Sequence, residues 1–473
     1  MSVRVGQAAQ APSYPDAAKD AVMNPQLRRN VKHATTVIRN KRARVVGEMP
    51  DWQQLRDAAQ LIKEHTLRYL EEYLLQFEKA CTLAGGTVHW ARDADDANQI
   101  VIDIVRSHGA SEVIKVKTMT TDEIQLNPAL EAAGIGPIET DLADLIVQLG
   151  EDKPSHIVVP ALHRNKAEIR EIFLKKMKLN ELGDTAEALT AAARTYLREK
   201  FLRVKLAISG ANFVIAETGA VCVVESEGNG RMCVSLPEVL VSVVGIEKVI
   251  PTLRDLEVFL QLLPRSATGE RMNPYNSLWT GVTPGDGPQE FHVVLLDNGR
   301  TQILADEASR ETLDCIRCGA CLNACPVYRQ TGGHAYGSIY AGPIGAILTP
   351  QLQSMEHSQS LPYASSLCGA CYEVCPVKIN IPEILIHLRG KLVEGGQAPL
   401  LERAGMKAAA WALSDSGHLG IAQIFARIAQ KPFERDGVLR NLPGVLAGWS
   451  SVRDLPAIPD ESFREWWKKR ERR

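Results

Sequence analysis

Apolar side chains recur at three- and four-residue steps over residues 51–84, where Trp52, Leu55, Ala59, Ile62, Leu70, Tyr73, Phe77 and Cys81 fall on one face of a helix. Asp51 and Gln54 stand as a capping pair before this run and Gly85-Gly86 ends it, so the spacing predicts one long amphipathic helix. Downstream the pattern changes. TVHWA, SEVIKVKT, PIET, SHIVVPAL, VKLAIS, NFVIAE and GAVCVVES read as short apolar strands. Between them, DANQIVIDIVRSHG, a segment ending near Gly134 and a stretch around AEIREIFLKKM carry a helical period. Alternation of this kind predicts an α/β domain with a largely parallel sheet. EGNGR at 227–231 reads as a tight turn, and Asn298-Gly299 reads as a hairpin turn between FHVVLL and RTQIL, which would make part of the sheet antiparallel.

From about residue 304 the strand pattern stops. PEILIHLRGKLVE and ERAGMKAAAWALSDSG read as helices, and FREWWKKRERR closes the chain as a short tail. The first 20 residues are rich in Ala, Pro, Ser and Gln without periodicity, which predicts a mobile arm. The expected organisation is therefore an arm over 1–20, an α/β domain with N-terminal helices over 21–303, a helical domain over 304–395, and a helical extension with a basic tail over 396–473.

Charge narrows the partners. Lys plus Arg number 54 against 56 Asp plus Glu, so a net charge of −2 predicts no nucleic-acid partner. No apolar run approaches the ~20 residues of a membrane span, and the N-terminus lacks a signal-peptide core. The expectation is a cytoplasmic protein. Its tail, with Trp466, Trp467, Lys468, Lys469, Arg470, Arg472 and Arg473, is the segment that would meet a subunit or the anionic inner face of a membrane.

Cysteine changes the picture most. Seven of the ten cysteines fall between positions 315 and 375 at metal-ligand spacings. Cys315, Cys318, Cys321 and Cys325-Pro326 form the full C-x2-C-x2-C-x3-C-P run of bacterial-type ferredoxins. Two-residue gaps let one loop wrap three corners of a four-iron cube, and Gly319 lets backbone N–H groups approach it. The proline then turns the chain away, so the fourth cysteine serves a different cluster. Cys315, Cys318, Cys321 and Cys375 are thus expected on the first cluster, and Cys325, Cys368 and Cys371 on the second. The second motif lacks its leading cysteine, with Ser365 at that place. Three outcomes fit: a three-iron cluster, a four-iron cluster whose last iron takes Ser365, another donor or water, or recruitment of a distant cysteine. Cys81, Cys222 and Cys233 sit in apolar surroundings and read as core residues. Structural zinc, which takes four thiolates per ion, fits seven cysteines and two Cys-Pro endings poorly. Forty-two residues separate Cys325 from Cys368 and include TGGHAYGSIYAGPIGAILTP, whose Gly and Pro spacing predicts an ordered loop.

These two motifs, the sequence between them, the upstream FVIAETGAVCVVESEGNGRMCVSLPEVLVSVVGIEKVI and the FREWW tail together resemble the lactate utilization protein B family. The resemblance runs from about residue 30 to the end and includes the missing leading cysteine of the second motif. It implies an α/β LUD domain, similar to the sugar-phosphate isomerase and CoA-transferase fold, followed by a mainly helical ferredoxin-type domain with two clusters. It also implies the function: iron–sulfur electron transfer in a complex that oxidises L-lactate to pyruvate. The partners would be two further lactate-utilization proteins, a cysteine-rich subunit and a second LUD-domain protein.

The residues alone support less. There is no G-x-G-x-x-G and no P-loop, so no hydride acceptor is visible, and the chain reads as a component of an oxidoreductase complex rather than a complete enzyme. Catalytic candidates lie near strand ends: His163 with Arg164, Glu217 with Thr218 and Gly219, then Lys115, Lys117 and Glu225. His334 and Tyr336, between the cysteine motifs, are further candidates. Three rival readings share these residues: a subunit of a related 2-hydroxy-acid or disulfide oxidoreductase, a redox-sensing iron–sulfur binding protein, and an isomerase or transferase with clusters as staples.

Overall fold

Strands buried on both faces carry near-continuous apolar runs, and the Val239–Gly245 strand, VLVSVVG, is buried at every position. It lies at the middle of a wholly parallel sheet. In the computed structural model, which describes residues 12–396, 400–450 and 453–471, ten strands of the α/β part build two sheets. They are β1 (Thr87–Ala91), β2 (Glu112–Lys115), β3 (Gly136–Glu139), β4 (Leu206–Ser209), β5 (Phe213–Ile215), β6 (Ala220–Glu225), β7 (Val239–Gly245), β8 (Val249–Ile250), β9 (Tyr275–Trp279) and β10 (Glu290–Leu296). The first sheet runs β1-β10-β7-β4-β2-β3, with every pairing parallel. The second runs β8-β5-β6-β9, with β6 antiparallel to both neighbours.

Four sequence expectations change. The helix over 51–84 divides into Trp52–Arg68 and Leu70–Leu83, and Asp51 makes no side-chain cap. The cause is packing: Trp52 and Ala59 enter one core, whereas Leu70, Leu74, Phe77 and Cys81 enter another. SHIVVPAL forms no strand. Its Ser155 donates to the carbonyl of Pro160 and closes a loop, and Ile157 packs with Ile316 and Cys318 of the cysteine-rich part. The hairpin at Asn298-Gly299 does not form, because RTQIL continues as the Arg300–Ala305 helix and β10 has parallel partners on both sides. Within the two sheets of the α/β part, antiparallel pairing is confined to β5, β6 and β9. Finally, the stretch read as an ordered loop between the motifs holds the buried Gly342–Leu352 helix.

The described residues up to Gly395 form one compact unit, and those from Gly396 on form a second. Chain from the expected arm is already helical at Tyr14–Met23, and the buried Tyr14 ring packs 4.9 Å from that of Tyr336; residues 1–11 lie outside the described residues. The α/β and cysteine-rich parts share a buried ionic network. Arg300, 1% exposed, donates to both carboxylate oxygens of Glu123 at 2.8 and 2.9 Å and to Glu247 at 2.5 Å. Tyr340 donates to Glu123 at 2.6 Å and Arg317 to Glu247 at 3.2 Å, so both parts contribute members. The Glu247 carboxyl is desolvated, which alone would raise its pKa, yet Arg300 and then Arg317 hold it at about 2. Removing one partner strands a buried charge, so Arg300→Met is expected to cost about 3–5 kcal/mol of unfolding free energy, read by denaturant titration. A change under about 1 kcal/mol would show the network to be energetically idle.

The second unit contains helices Leu400–Leu413, Ser416–Gln430 and Phe463–Glu471 and a three-stranded sheet of two-residue strands. Arg427 joins two of these helices through Glu465 at 3.1 Å. In the terminal helix Phe463 stacks near Trp466 and Trp467, and Arg470 covers Trp466; Arg472 and Arg473 of the expected basic tail lie outside the described residues.

Candidate functional site

Both cysteine motifs fold the same way. Arg317 and Leu367, each directly before the second motif position, adopt positive φ of 59° and 54°, and Gly319 and Gly369 directly after it adopt 72° and 81°. Short helices Ala320–Ala324 and Ala370–Val374 follow. Backbone N–H groups then point at sulfur: Arg317 at Cys315 Sγ (3.4 Å), Tyr328 at Cys325 Sγ (3.5 Å) and Ile379 at Cys375 Sγ (3.4 Å).

The tertiary fold sorts the seven thiols into two neighbouring groups. Cys315, Cys318, Cys321 and Cys375 line one small cleft with Ile344, Val377 and Ile379. Cys325, Cys368 and Cys371 lie close enough together for their charges to repel. Cys321 and Cys371 link the groups. Burial pushes the Cys318 and Cys371 thiols up to about 12 and those of Cys321 and Cys375 higher still. Cys368 is exposed, whereas Cys318, Cys325, Cys371 and Cys375 are buried.

Among the described residues, cations gather around the first group. Arg56 donates to the carbonyl oxygens of Cys375 (2.8 Å) and Tyr372 (3.2 Å), and Arg42 to that of Val374 (2.9 Å). Arg317 lies within the first motif, packs over the Tyr340 ring, and leaves its buried Nη1 without a hydrogen-bond partner. Arg42 Nε is likewise unpartnered and buried. Such orphaned donors and neighbouring cations around four thiols fit a bound group of net negative charge, which a four-thiolate iron–sulfur cluster is. Tyr14, Tyr328 and Tyr336 instead surround Cys325.

A cleft of about 340 Å³ opens outside the carboxyl ends of β2, β3, β4 and β7, where open α/β sheets bind ligands. Its lining includes Lys117, Lys248, Arg317 and Cys318 as well as the carboxylates of Asp141, Glu225 and Glu227. Lys248 is 7% exposed, and its ammonium has no hydrogen bond or salt bridge among the described residues. Burial, then the Arg317 charge, push it down to about 7. Burial and the neighbouring Asp141 raise the Glu227 carboxyl.

The other candidates are placed as follows. Lys117 lines the cleft and donates to the Val158 carbonyl at 2.8 Å; Glu225 lines it too and accepts from the backbone N–H groups of Gly228 and Arg231. Lys115 is buried in an ion pair with Glu139 at 2.7 Å. Glu217 is outside the cleft, where it accepts from the backbone N–H of Leu253 at the start of a helix. His163 and His334 meet edge to face with centroids 4.6 Å apart. His163 sits between Ser155 Oγ (2.7 Å) and Asp152 (2.8 Å), while His334 contacts the Lys153 carbonyl. Ser155 is fully buried and Tyr328 also donates to its carbonyl, so this Ser-His-Asp array ties the two parts of the unit together. Lys248, Arg42 and Arg56 escape sequence reasoning because they are isolated cations on separate elements. Arg317 lies inside the first motif, where its role around the thiols depends on Tyr340 and Glu247 from distant segments.

A LUD-type α/β domain joined to a two-cluster iron–sulfur domain is the class that this fold and site define. Residues 74–296 match the LUD domain family, 311–379 the 4Fe-4S dicluster domain, and 387–472 the C-terminal domain of lactate utilisation protein B. The chain belongs to the lactate utilization protein B family. It is 43% identical to lactate utilization protein B of Oceanobacillus iheyensis over 99% of this chain and 98% of that one. It is 40% identical to the protein of that name from Bacillus velezensis, over 100% and 99% of the two chains. A solved duf162 family protein from Deinococcus radiodurans aligns at 13% identity over 48% of this chain and 98% of its own, with a TM-score of 0.27. The chain thus has an iron–sulfur component and a role in lactate utilization. No helix among the described residues is long and apolar enough to cross a membrane.

Proposed function

We propose that this chain is the electron-transferring component of a complex that oxidises L-lactate to pyruvate. Cys315, Cys318, Cys321 and Cys375 would hold one four-iron cluster, and Cys325, Cys368 and Cys371 three corners of a second. The observation that carries the reading is the shared wall: Cys318 belongs both to the four-thiol group and to the cleft at the sheet's carboxyl edge. Lys248 supplies the cation for the substrate carboxylate, and the lining carboxylates Asp141, Glu225 and Glu227 supply acceptors for the hydroxyl proton. Oxidation of L-lactate releases two electrons and two protons, and clusters accept electrons singly, so two adjacent thiol groups suit the stoichiometry. The second group reaches the surface at Cys368, which gives electrons an exit toward a partner.

The partners in this reading are the two companion lactate-utilization proteins, which provide the electron acceptor. Anaerobic electron paramagnetic resonance before and after adding L-lactate tests it. Cluster signals driven by lactate in the assembled complex are expected; sustained lactate oxidation by this chain with both companions removed would refute the relay. The cations also have a measurable role. A unit charge ~8 Å from a cluster at an effective dielectric of ~20 contributes about 2 kcal/mol. Arg56→Met is therefore expected to lower the first cluster's midpoint by on the order of 50–100 mV and leave the second within about 20 mV, as followed by redox titration. Equal shifts at both would contradict the grouping of cations around Cys375.

A further inference from the structure

The two cysteine motifs superpose in role position by position, and the one departure is chemical. Cys318 corresponds to Cys368, Cys321 to Cys371 and Cys325 to Cys375. Flanking residues agree in backbone: positive φ at Arg317 and Leu367, then at Gly319 and Gly369. In this register Cys315 corresponds to Ser365. The N–H of Arg317 points at Cys315 Sγ at 3.4 Å, and the N–H of Leu367, its counterpart, points at Ser365 Oγ at 3.1 Å. Serine thus presents oxygen from the same backbone turn with the same supporting donor.

A serine hydroxyl accepting from the N–H two residues on is by itself an ordinary turn. What sets this one apart is that the counterpart atom, Cys315 Sγ, lies in the four-thiol group beside Cys318, Cys321 and Cys375. Cys325, Cys368 and Cys371 form a group of three that lacks that one position. The three remaining cysteines have their own places in the α/β part. Cys222 is held in β6 opposite Phe213, Cys233 lies against Thr140, and Cys81 is in the α/β core. Ser365 is partly exposed, as a ligand beside the exposed Cys368 must be.

We infer that Ser365 Oγ is the fourth protein ligand of the second cluster, through an Fe–O bond that forms as the hydroxyl proton leaves to solvent. No electron is transferred in this step. The inference rests on the reading of the seven cysteines as ligands of two clusters. A hard oxygen donor favours ferric iron more than a thiolate does, so Ser365 would hold its corner more exchangeably and bias that cluster toward its oxidised form.

The test uses the full-length chain, purified anaerobically, with iron and sulfide analysis, Mössbauer and electron paramagnetic resonance spectra and a redox titration. The unaltered protein should carry two four-iron clusters, one with a distinct non-thiolate iron. Ser365→Ala should lose one iron per chain and show the signal of an oxidised three-iron cluster. Ser365→Cys, a variant that preserves the turn, should keep full iron and raise the second cluster's midpoint only. Full iron and unchanged spectra in Ser365→Ala, or an unchanged midpoint in Ser365→Cys, would overturn the ligand role while leaving the two-cluster reading intact. A three-iron second cluster in the unaltered protein would do the same. Absence of both clusters from the unaltered protein would instead overturn the electron-transfer reading, and this inference with it.

Discussion

Cys375→Ala is expected to strip iron from the first motif rather than from its own. Cys375 is 54 positions beyond Cys321, yet it lines one cleft with Cys315, Cys318 and Cys321. Cys325→Ala should do the converse and empty the site that Cys368 and Cys371 line. Ile344, Val377 and Ile379, which line this cleft beside the thiols, offer no donor to replace a lost thiolate. Lactate-driven reduction of the remaining cluster should fall by at least about 100-fold, since even weaker perturbations of a metal's surroundings cost 10–100-fold. The check is site-resolved: separate spectra of the two clusters in each variant, with iron counts. If Cys375→Ala spares the cluster of the first motif, each motif is self-contained and the proposed ligand groups are wrong.

Lys248→Met is expected to raise KM for L-lactate about 10- to 100-fold in the assembled complex, with both clusters spectroscopically intact. A charge-assisted hydrogen bond contributes about 1.5–3 kcal/mol, and each 1.4 kcal/mol is a factor of ten in affinity. The ammonium is buried, makes no salt bridge among the described residues and lies near a second cation, Arg317, so it gains more from a carboxylate than a solvated lysine would. Lys248→Arg should recover part of the loss because it keeps the charge. An unchanged KM together with normal cluster signals would place the carboxylate elsewhere and leave the cleft without its assigned ligand. Lys115→Met is the contrasting variant. That lysine is paired with Glu139 inside the sheet, so its loss should lower stability by about 3–5 kcal/mol, with any change in KM following from misfolding.

Legibility in the sequence followed the range of the interaction. Strands β1 to β6 lie inside runs that alternate with helical stretches, because a buried strand needs only a few consecutive apolar residues. SHIVVPAL has the same local pattern and forms a loop, since its apolar side chains pack against Ile316 and Cys318 across the domain boundary rather than into a sheet. The Asn298-Gly299 turn failed for a related reason. Arg300 is drawn inward by Glu123 and Glu247, which lie far away in sequence, and that buried pairing is satisfied by a helix start and not by a returning strand.

What the sequence by itself determined is what neighbouring residues decide together: the apolar periods of helices and strands, the cysteine spacings, the positive-φ glycines that shape both motifs, and the missing thiol at Ser365. The grouping of the thiols was already an expectation from the two Cys-Pro endings; tertiary structure alone decided which cations surround them and where their cleft opens. Those outcomes depend on burial and on charges brought together from residues 42, 56, 248 and 317, carried by the Pro25–Gly47 and Trp52–Arg68 helices, the segment after β7 and the first cysteine loop. No local pattern encodes such a meeting, because electrostatic and hydrophobic energies depend on distance in space and not on separation along the chain.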